Sequence, residues 1–209
     1  MNATSPPSKP IILASSSRYR QQLLQRLNIS FTACAPDIDE QPEQGEIASQ
    51  LAYRLATAKA YALSPLHPEA LIIGSDQVAA LDDQILTKPL DKTTAFSQLQ
   101  HCQGRQVTFF TGLCVLDSKL QQHKTIVEPV VVKFRELTDP EIQDYIEQEQ
   151  PLDCAGSFKC EGLGIALFEY INSQDPNTLI GLPLIQLVNL LKEFGVGCGS
   201  FLTTSNYPI

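Results

Sequence analysis

Several features that would place a protein at once are missing from this chain. Its 209 residues carry 15 Lys+Arg against 23 Asp+Glu, a formal net charge of −8. Such a shortage of cations argues against gripping a nucleic-acid backbone, which takes basic stripes. No apolar run approaches the roughly 20 residues that span a bilayer, so no membrane role is expected. The six cysteines, at 34, 102, 114, 154, 160 and 198, make no C-x-x-C pair, and the three histidines stand near none of them in metal-ligand spacing. Neither a Walker A loop nor a G-x-G-x-x-G turn is present, and there is no internal repeat or low-complexity block. Met1 to Pro10 is polar and Pro-rich, which reads as a loose arm over 1–9 and not as an export signal. Reduced thiols and a cytoplasmic setting are therefore expected.

What is there suffices for a folded enzyme. At 43% hydrophobic and 18% charged, the chain can bury a sizeable core, as one large α/β domain or two closely joined lobes. The densest signal is Leu71-Ile72-Ile73 running into Gly74-Ser75-Asp76-Gln77-Val78. It predicts a buried strand delivering one carboxylate to its mouth, where open α/β sheets place ligands. A strand-end Asp alone is more often structural than catalytic, but this one has company. Ser15-Ser16-Ser17-Arg18-Tyr19-Arg20 follows the apolar Ile11-Ile12-Leu13-Ala14, Asp37-Ile38-Asp39-Glu40 gathers acids, and Lys88-Pro89 offers a lone cation. An acidic protein that binds a polyphosphate needs such local cations or a bridging divalent metal. The set points to a small enzyme acting on a phosphorylated substrate.

Strands and helices alternate along the chain. Strand 11–14 leads to a helix over 18–27 with Ser17 as its N-cap, then a short strand from Phe31 to Cys34. Ile47, Leu51, Leu55 and Ala58 recur at helical spacing, so 46–63 reads as an amphipathic helix carrying Lys59. After strand 71–78, Asp82-Asp83 marks a tight turn into Gln84–Leu86, and Asp91 caps a helix over 92–102. Residues 106–116 and 124–134 read as a long antiparallel hairpin, and Thr138 with Glu141 forms a capping box for a helix over 139–149. Gly162 to Phe168 returns to strand character, Pro183 suits the first turn of a last helix, and Gly195 suits its C-cap. The glycines of 195–200 argue for a mobile end. The expected fold is α/β with a mixed sheet and a cleft between two lobes.

Each motif has two readings. Free backbone N–H groups at the start of the 18–27 helix can receive phosphate oxygens, with Arg20 adding a charge-assisted contact; equally, Ser17 simply caps the helix and both arginines are solvated. Acid clusters such as Asp37, Asp39 and Glu40 usually face solvent, yet one of them meeting Asp76 across a cleft would suit Mg²⁺ or Mn²⁺. Lys88 is held by Pro89 or lies on the surface. Cys154-Ala155-Gly156-Ser157-Phe158-Lys159-Cys160-Glu161-Gly162 is a loop of small residues, whose glycines either let a ligand approach or only make a turn.

Taken together, these motifs resemble those of the Maf family of nucleoside triphosphate pyrophosphatases. The matching blocks are Leu13-Ala14-Ser15-Ser16-Ser17 with Arg20, Asp39-Glu40, Lys59, Gly74-Ser75-Asp76-Gln77, Lys88-Pro89, Ala155-Gly156 and Gly181-Leu182-Pro183, in family order over roughly 10–194. Gln77-Val78, the stretch to Glu161-Gly162, and Asp175-Pro176-Asn177-Thr178-Leu179 are closest to the 7-methyl-GTP pyrophosphatase branch. The resemblance implies hydrolysis between the α and β phosphates with a divalent cation. It implies a mixed α/β fold with a long bent sheet, shared with the inosine triphosphatases, as one two-lobed unit over 10–195 with a tail over 196–209, and often a homodimer. By resemblance, Asp76 is the proton acceptor, Glu40 and Asp76 are the metal ligands, and Ser15, Arg20, Lys59 and Lys88 form the triphosphate cradle. An unperturbed Asp is a weak base with a pKa of about 4, so Asp76 is expected to work with a metal that lowers the pKa of the attacking water.

Tyr19, Gln77 and Glu161 match the family's selectivity positions, where the dTTP/UTP-directed branch tends to show Arg, Thr and Gln. A 7-methylguanine base is cationic, favouring an aromatic face by roughly 0.5–2 kcal/mol, and Glu161 can accept from its N1–H and amino group. The chain has no tryptophan and carries Tyr19 where Trp is expected, which implies looser discrimination from GTP. Two other functions stay open: a pyrophosphatase for dTTP, UTP or another modified nucleotide, and a non-hydrolysing nucleotide-binding regulator of septum formation. The co-occurrence of Asp76, Glu40 and Lys88 favours a working enzyme.

Overall fold

The long strands in the middle of the chain organise everything else. A computed structural model describes residues 9–197; the expected arm lies outside the described residues except for Lys9, as does the expected tail except for Val196 and Gly197. Strand β1 (Ile11–Ala14) pairs in parallel with β2 (Thr32–Cys34) on one side and β3 (Leu71–Leu81) on the other. β3 carries the short β4 (Gln84–Leu86) at its far end and runs antiparallel to β5 (Gln106–Asp117), which makes the expected hairpin with β6 (Gln122–Phe134). β7 (Phe168–Asn172) closes a mixed seven-stranded sheet in the order β2-β1-β3-β5-β6-β7.

Among the described residues five α-helices flank the sheet: α1 (Arg18–Gln25), α2 (Ala48–Leu63), α3 (Lys92–Cys102), α4 (Asp139–Glu149) and α5 (Leu184–Glu193). Their caps are largely the expected ones. Ser17 Oγ accepts from the Arg20 N–H, Asp91 accepts from the Thr94 N–H, and Glu141 reaches back to the Thr138 N–H at 2.7 Å. α5 ends in a Schellman turn: the Val196 N–H donates to the Leu191 carbonyl and the Gly195 N–H to that of Lys192, with Gly195 at φ 81°. So Gly195 stands one residue past the cap, and part of the expected mobile end is fixed helix termination. Pro183 likewise sits just before the first helical residue, not inside the first turn.

α2 lies unusually close to the sheet. It buries Ala48, Leu51, Ala52, Leu55, Ala56, Lys59, Ala60 and Leu63, a stripe dominated by small side chains. Beneath it sit Gly74 on β3 and Gly112 on β5; a Cβ there would collide with the carbonyls of Ala56 and Ala52 respectively. That proximity lets a lysine on the same stripe reach the sheet.

Two large apolar clusters hold the helices to the sheet. One cluster joins α1 and α5 to β1 and β3 through Leu13, Leu24, Ile73, Leu187 and Leu191. Another joins α3, α4 and the far half of β5, with Phe158 edge-on to Phe109 and Phe168 at centroid distances of 4.8 and 5.0 Å.

Two strand assignments are corrected as well. The 162–168 stretch is not a strand: Leu163–Leu167 is a short 3₁₀ segment, because the Gly162 and Gly164 N–H groups both turn back to the Lys159 carbonyl. Strand begins at Phe168, where β6 first offers a partner in Phe134. β3 also runs three residues beyond the expected 78, because β4 folds back to pair with Ala79, Ala80 and Leu81. No described helix is long and apolar enough to cross a membrane.

Candidate active site

β1 stops opposite Gly74 while β3 continues, so Asp76 stands two residues beyond the end of its parallel neighbour. Asp76 is thus not at the mouth of its own strand, as expected, but beside the mouth of β1. A cleft of about 1170 Å³ opens there, walled by the start of α1, the loop around Glu40, the segment after β4 and the 153–161 loop.

The period-2 alternation of β3 sends its side chains two ways. Gly74 faces α2, and Asp76, two residues on, meets Lys59 of that helix: Nζ lies 2.5 Å from Asp76 Oδ1. The same ammonium lies 2.7 Å from Glu40 Oε1. Both Lys59 and Asp76 are buried, whereas the Glu40 carboxylate is 47% exposed. Burial would raise the Glu40 pKa, but the hydrogen bond and charge of Lys59, with Lys88 and Arg20 nearby, hold it below the ordinary carboxylate range. Of the acid cluster, only Glu40 lines the cleft; Asp39 caps the Gln41 N–H at 2.9 Å.

On the other face of β3, Ser75 and Gln77 meet the turn before α5. The Ser75 hydroxyl is fully buried, 2.8 Å from the Gly181 carbonyl and 2.9 Å from that of Gly112. Arg20 donates from Nε to the same Gly181 oxygen at 2.9 Å, and its Nη1 lies 3.5 Å from Ser15 Oγ. Desolvation lowers the Arg20 pKa, against Asp76 and Glu40, which raise it; a guanidinium stays charged regardless. The Ser15 hydroxyl also accepts from the Ser17 N–H at 3.1 Å. Lys88 is exposed on the rim and has no ion-pair partner among the described residues.

The Gln77 amide nitrogen is spent on Thr111 Oγ1 and the carbonyls of Thr178 and Leu179, at 3.0 to 3.1 Å. Gln77 therefore braces the 178–181 turn, leaving its amide oxygen for the cleft. Tyr19 and Glu161 do come together: burial and the adjacent Glu161 carboxylate raise the Tyr19 hydroxyl pKa. The Tyr19 residue is 41% exposed, with Phe158, Cys160 and Leu179 also lining this end. Lys159 caps the end of α4, with Nζ 3.3 Å from the carbonyls of Glu149 and Gln150. Burial pushes the Cys154 thiol up to about 12 and raises Cys160 further, so neither is a ready thiolate.

Two things were missed from sequence. Gly181 was noted only as part of a motif, yet its carbonyl is the joint that fixes Arg20 and Ser75. Asp175, which stands out in the sequence only within the block resembling the 7-methyl-GTP branch, is buried and holds the turn before α5, accepting from the Asn177 N–H at 2.8 Å and the Ile185 N–H at 2.7 Å. A single sequence carries no signal for either beyond the Asx-turn residues.

No group of three or more His, Cys, Asp or Glu side chains forms a metal cage among the described residues. The donor set still fits magnesium or manganese. Such ions favour one or two carboxylates, completing their shell with water and substrate phosphate. Glu40 and Asp76 supply that pair, since their oxygens already converge on one cation, the Lys59 ammonium.

The family model for Maf-like proteins matches residues 10–194. A Nitrosococcus oceani protein named 7-methyl-GTP pyrophosphatase is 50% identical over 195 residues, 93% of this chain and 98% of its own. The protein of that name from Pseudoalteromonas atlantica is 53% identical over 186 residues, covering 89% of this chain and 95% of its own. For the Chromohalobacter salexigens protein of the same name the figures are 52%, 89% and 96%. A match spanning both walls of the cleft, with half the residues identical across it, leaves one conclusion: the chain belongs to the Maf-like family.

Proposed function

We propose that the protein is a nucleoside triphosphate pyrophosphatase that hydrolyses 7-methyl-GTP to 7-methyl-GMP and pyrophosphate. The carrying observation is one cleft with an Asp76–Lys59–Glu40 cluster beside Arg20 and Ser15, and an aromatic face with a carboxylate, Tyr19 and Glu161, at its other side. The relatives named for this activity support the substrate.

In this proposal Glu40 and Asp76 hold a magnesium or manganese ion. When bound, that ion neutralises phosphate charge and makes water a better nucleophile at neutral pH. Asp76 orients the water and accepts its proton as the oxygen attacks the α phosphorus. The α–β bridging bond then breaks, and its electron pair leaves with pyrophosphate. Arg20, Ser15 and the free N–H groups at the start of α1 take phosphate oxygens, with Lys88 closing from the rim and Lys59 from α2. Tyr19 stacks on the base, Glu161 accepts from its N1–H and amino group while offsetting its positive charge, and Gln77 presents its amide oxygen. The 10–195 stretch works as one unit in a cytoplasmic homodimer, a reading carried by the resemblance; sedimentation of the purified protein tests the dimer.

The decisive experiment is pyrophosphate release across 7-methyl-GTP, GTP, dTTP, UTP and CTP with Mg²⁺ or Mn²⁺. The highest kcat/KM is expected for 7-methyl-GTP. A maximum on dTTP or UTP moves the substrate, and binding without release on any of them makes the protein a regulator.

A further inference from the structure

Lys59 occupies the ground that the proposed metal needs. Its Nζ lies 2.7 Å from Glu40 Oε1 and 2.5 Å from Asp76 Oδ1. A magnesium-like ion binds carboxylate oxygens at about 2.0–2.1 Å, so an ion shared by those two oxygens falls in the space the ammonium fills. The two cations exclude one another there. Something must neutralise Asp76 when no metal is present, because the side chain is buried against α2 and an unpaired buried carboxylate is costly. An ammonium on a flexible four-carbon stem can hold that place and then leave it, whereas a guanidinium fork is less mobile. Glu40 is free to adjust as well, since its loop carboxylate is half-exposed.

We propose that Lys59 is a resident counter-ion displaced by the divalent metal, and that its release is what couples metal binding to nucleotide binding. Without nucleotide, the ammonium competes with the metal for Glu40 and Asp76. With nucleotide present, the polyphosphate gives it a second anionic partner in the same cleft, and the carboxylates turn to the metal. Metal and nucleotide thus favour each other's binding, as linkage requires. The inference rests on the pyrophosphatase reading for its need of a metal, but its test measures Mn²⁺ binding without turnover. A failed nucleotide panel and a failed exchange are therefore separate results.

Mn²⁺ binding is measured by electron paramagnetic resonance on the metal-free wild type, Lys59→Met, Lys59→Gln and Lys88→Gln. Each is titrated alone and with the α,β-methylene analogue of GTP. Lys59→Met and Lys59→Gln should bind Mn²⁺ alone about tenfold or more tightly than wild type, within the usual span of coupling between sites. Lys88→Gln removes an equal charge from the same cleft without touching either carboxylate, and should change Mn²⁺ affinity far less. The analogue should tighten Mn²⁺ strongly in wild type and much less in the Lys59 variants. Unchanged or weaker Mn²⁺ binding in the Lys59 variants overturns the proposal, as does an equal effect of Lys88→Gln or an equal boost from the analogue in every protein. If the Lys59 variants fail to fold without metal, millimolar Mn²⁺ must restore folding, and no recovery also overturns it.

Discussion

Asp76 is both a candidate base and half of a buried ion pair, so its substitution tests two things at once. Asp76→Asn keeps the shape but removes the charge that faces Lys59 at 2.5 Å. Turnover should fall by about 10²–10⁴, the usual contribution of a positioned base, while nucleotide binding persists in equilibrium titrations. Wild-type turnover would take Asp76 out of the mechanism. At the opposite end of the cleft, Glu161→Gln should lower kcat/KM for 7-methyl-GTP more than for GTP, because both bases present the same N1–H and amino donors but only the methylated one also loses a counter-charge. Loss of a charged hydrogen-bond partner costs about 1.5–3 kcal/mol, so kcat/KM for 7-methyl-GTP should drop roughly tenfold to a hundredfold, and that for GTP by less. Equal slowing of both nucleotides would make Glu161 a support of the loop and not a reader of the base. Much of the site was legible at this scale, because serines before a helix, acids in a loop and an Asp after an apolar run each carry a local chemical signature. What was not legible is which partner each group has chosen. Lys59 was expected among the phosphate ligands and is found between two carboxylates; Gln77 was expected to read the base and spends its amide nitrogen on Thr111, Thr178 and Leu179. Those pairings join residues far apart in the chain, and no local pattern encodes them.

The site depends on how α2 lies on β3 and β5. Gly112→Ala places a methyl group against the Ala52 carbonyl, so the helix must lift or tilt. Overpacking of this kind costs about 1–3 kcal/mol. The urea midpoint should fall accordingly, and activity should fall further than stability alone explains, since Lys59 moves with the helix. An unchanged midpoint would mean that α2 has slack against the sheet. The helices themselves were readable because their caps are local: Ser17, Asp91 and Thr138 with Glu141 all act where expected. The 162–168 stretch was misread because its apolar residues allow either conformation. Two N–H groups returning to the Lys159 carbonyl decide it, and strand waits for Phe134 on β6. Strand ends behave in the same way: β3 continues to Leu81 only because β4 returns to pair with it.

For the molecule as a whole, acid and substrate probe different properties. Glu40 and Asp117 are both held below the ordinary carboxylate range; burial would raise each, but Lys59 outweighs it for Glu40, as Lys9 and the Lys119 and Leu120 N–H groups do for Asp117. A depressed carboxylate contributes stability above its unfolded value, about 4, and loses it as pH falls through the folded value. Between pH 7 and 5 the excess of negative charge only shrinks, relieving self-repulsion. Melting temperature should therefore hold or rise slightly from pH 7 to 5 and drop below about pH 4; a drop already complete at pH 6 would point to other groups. The cleft is lined by the end of β1, the start of α1, the middle of β3 and the 153–161 loop, and the proposed function places a nucleotide across them. In the proposed binding mode, with the base on Tyr19 and Glu161 and the phosphates on Arg20, Ser15 and Lys88, the part of the triphosphate nearest the base is the α phosphate. Water held by Asp76 should then attack the α phosphorus, with the β and γ phosphates leaving as one unit. Turnover in H₂¹⁸O should put a single ¹⁸O in the monophosphate and none in the pyrophosphate, read by mass spectrometry. Label in the pyrophosphate would mean attack at the β phosphorus with the same products, and orthophosphate as the first product would mean attack at the γ phosphorus. Either result would overturn the proposed placement of the base on Tyr19 and Glu161 with Asp76 beside the α phosphate.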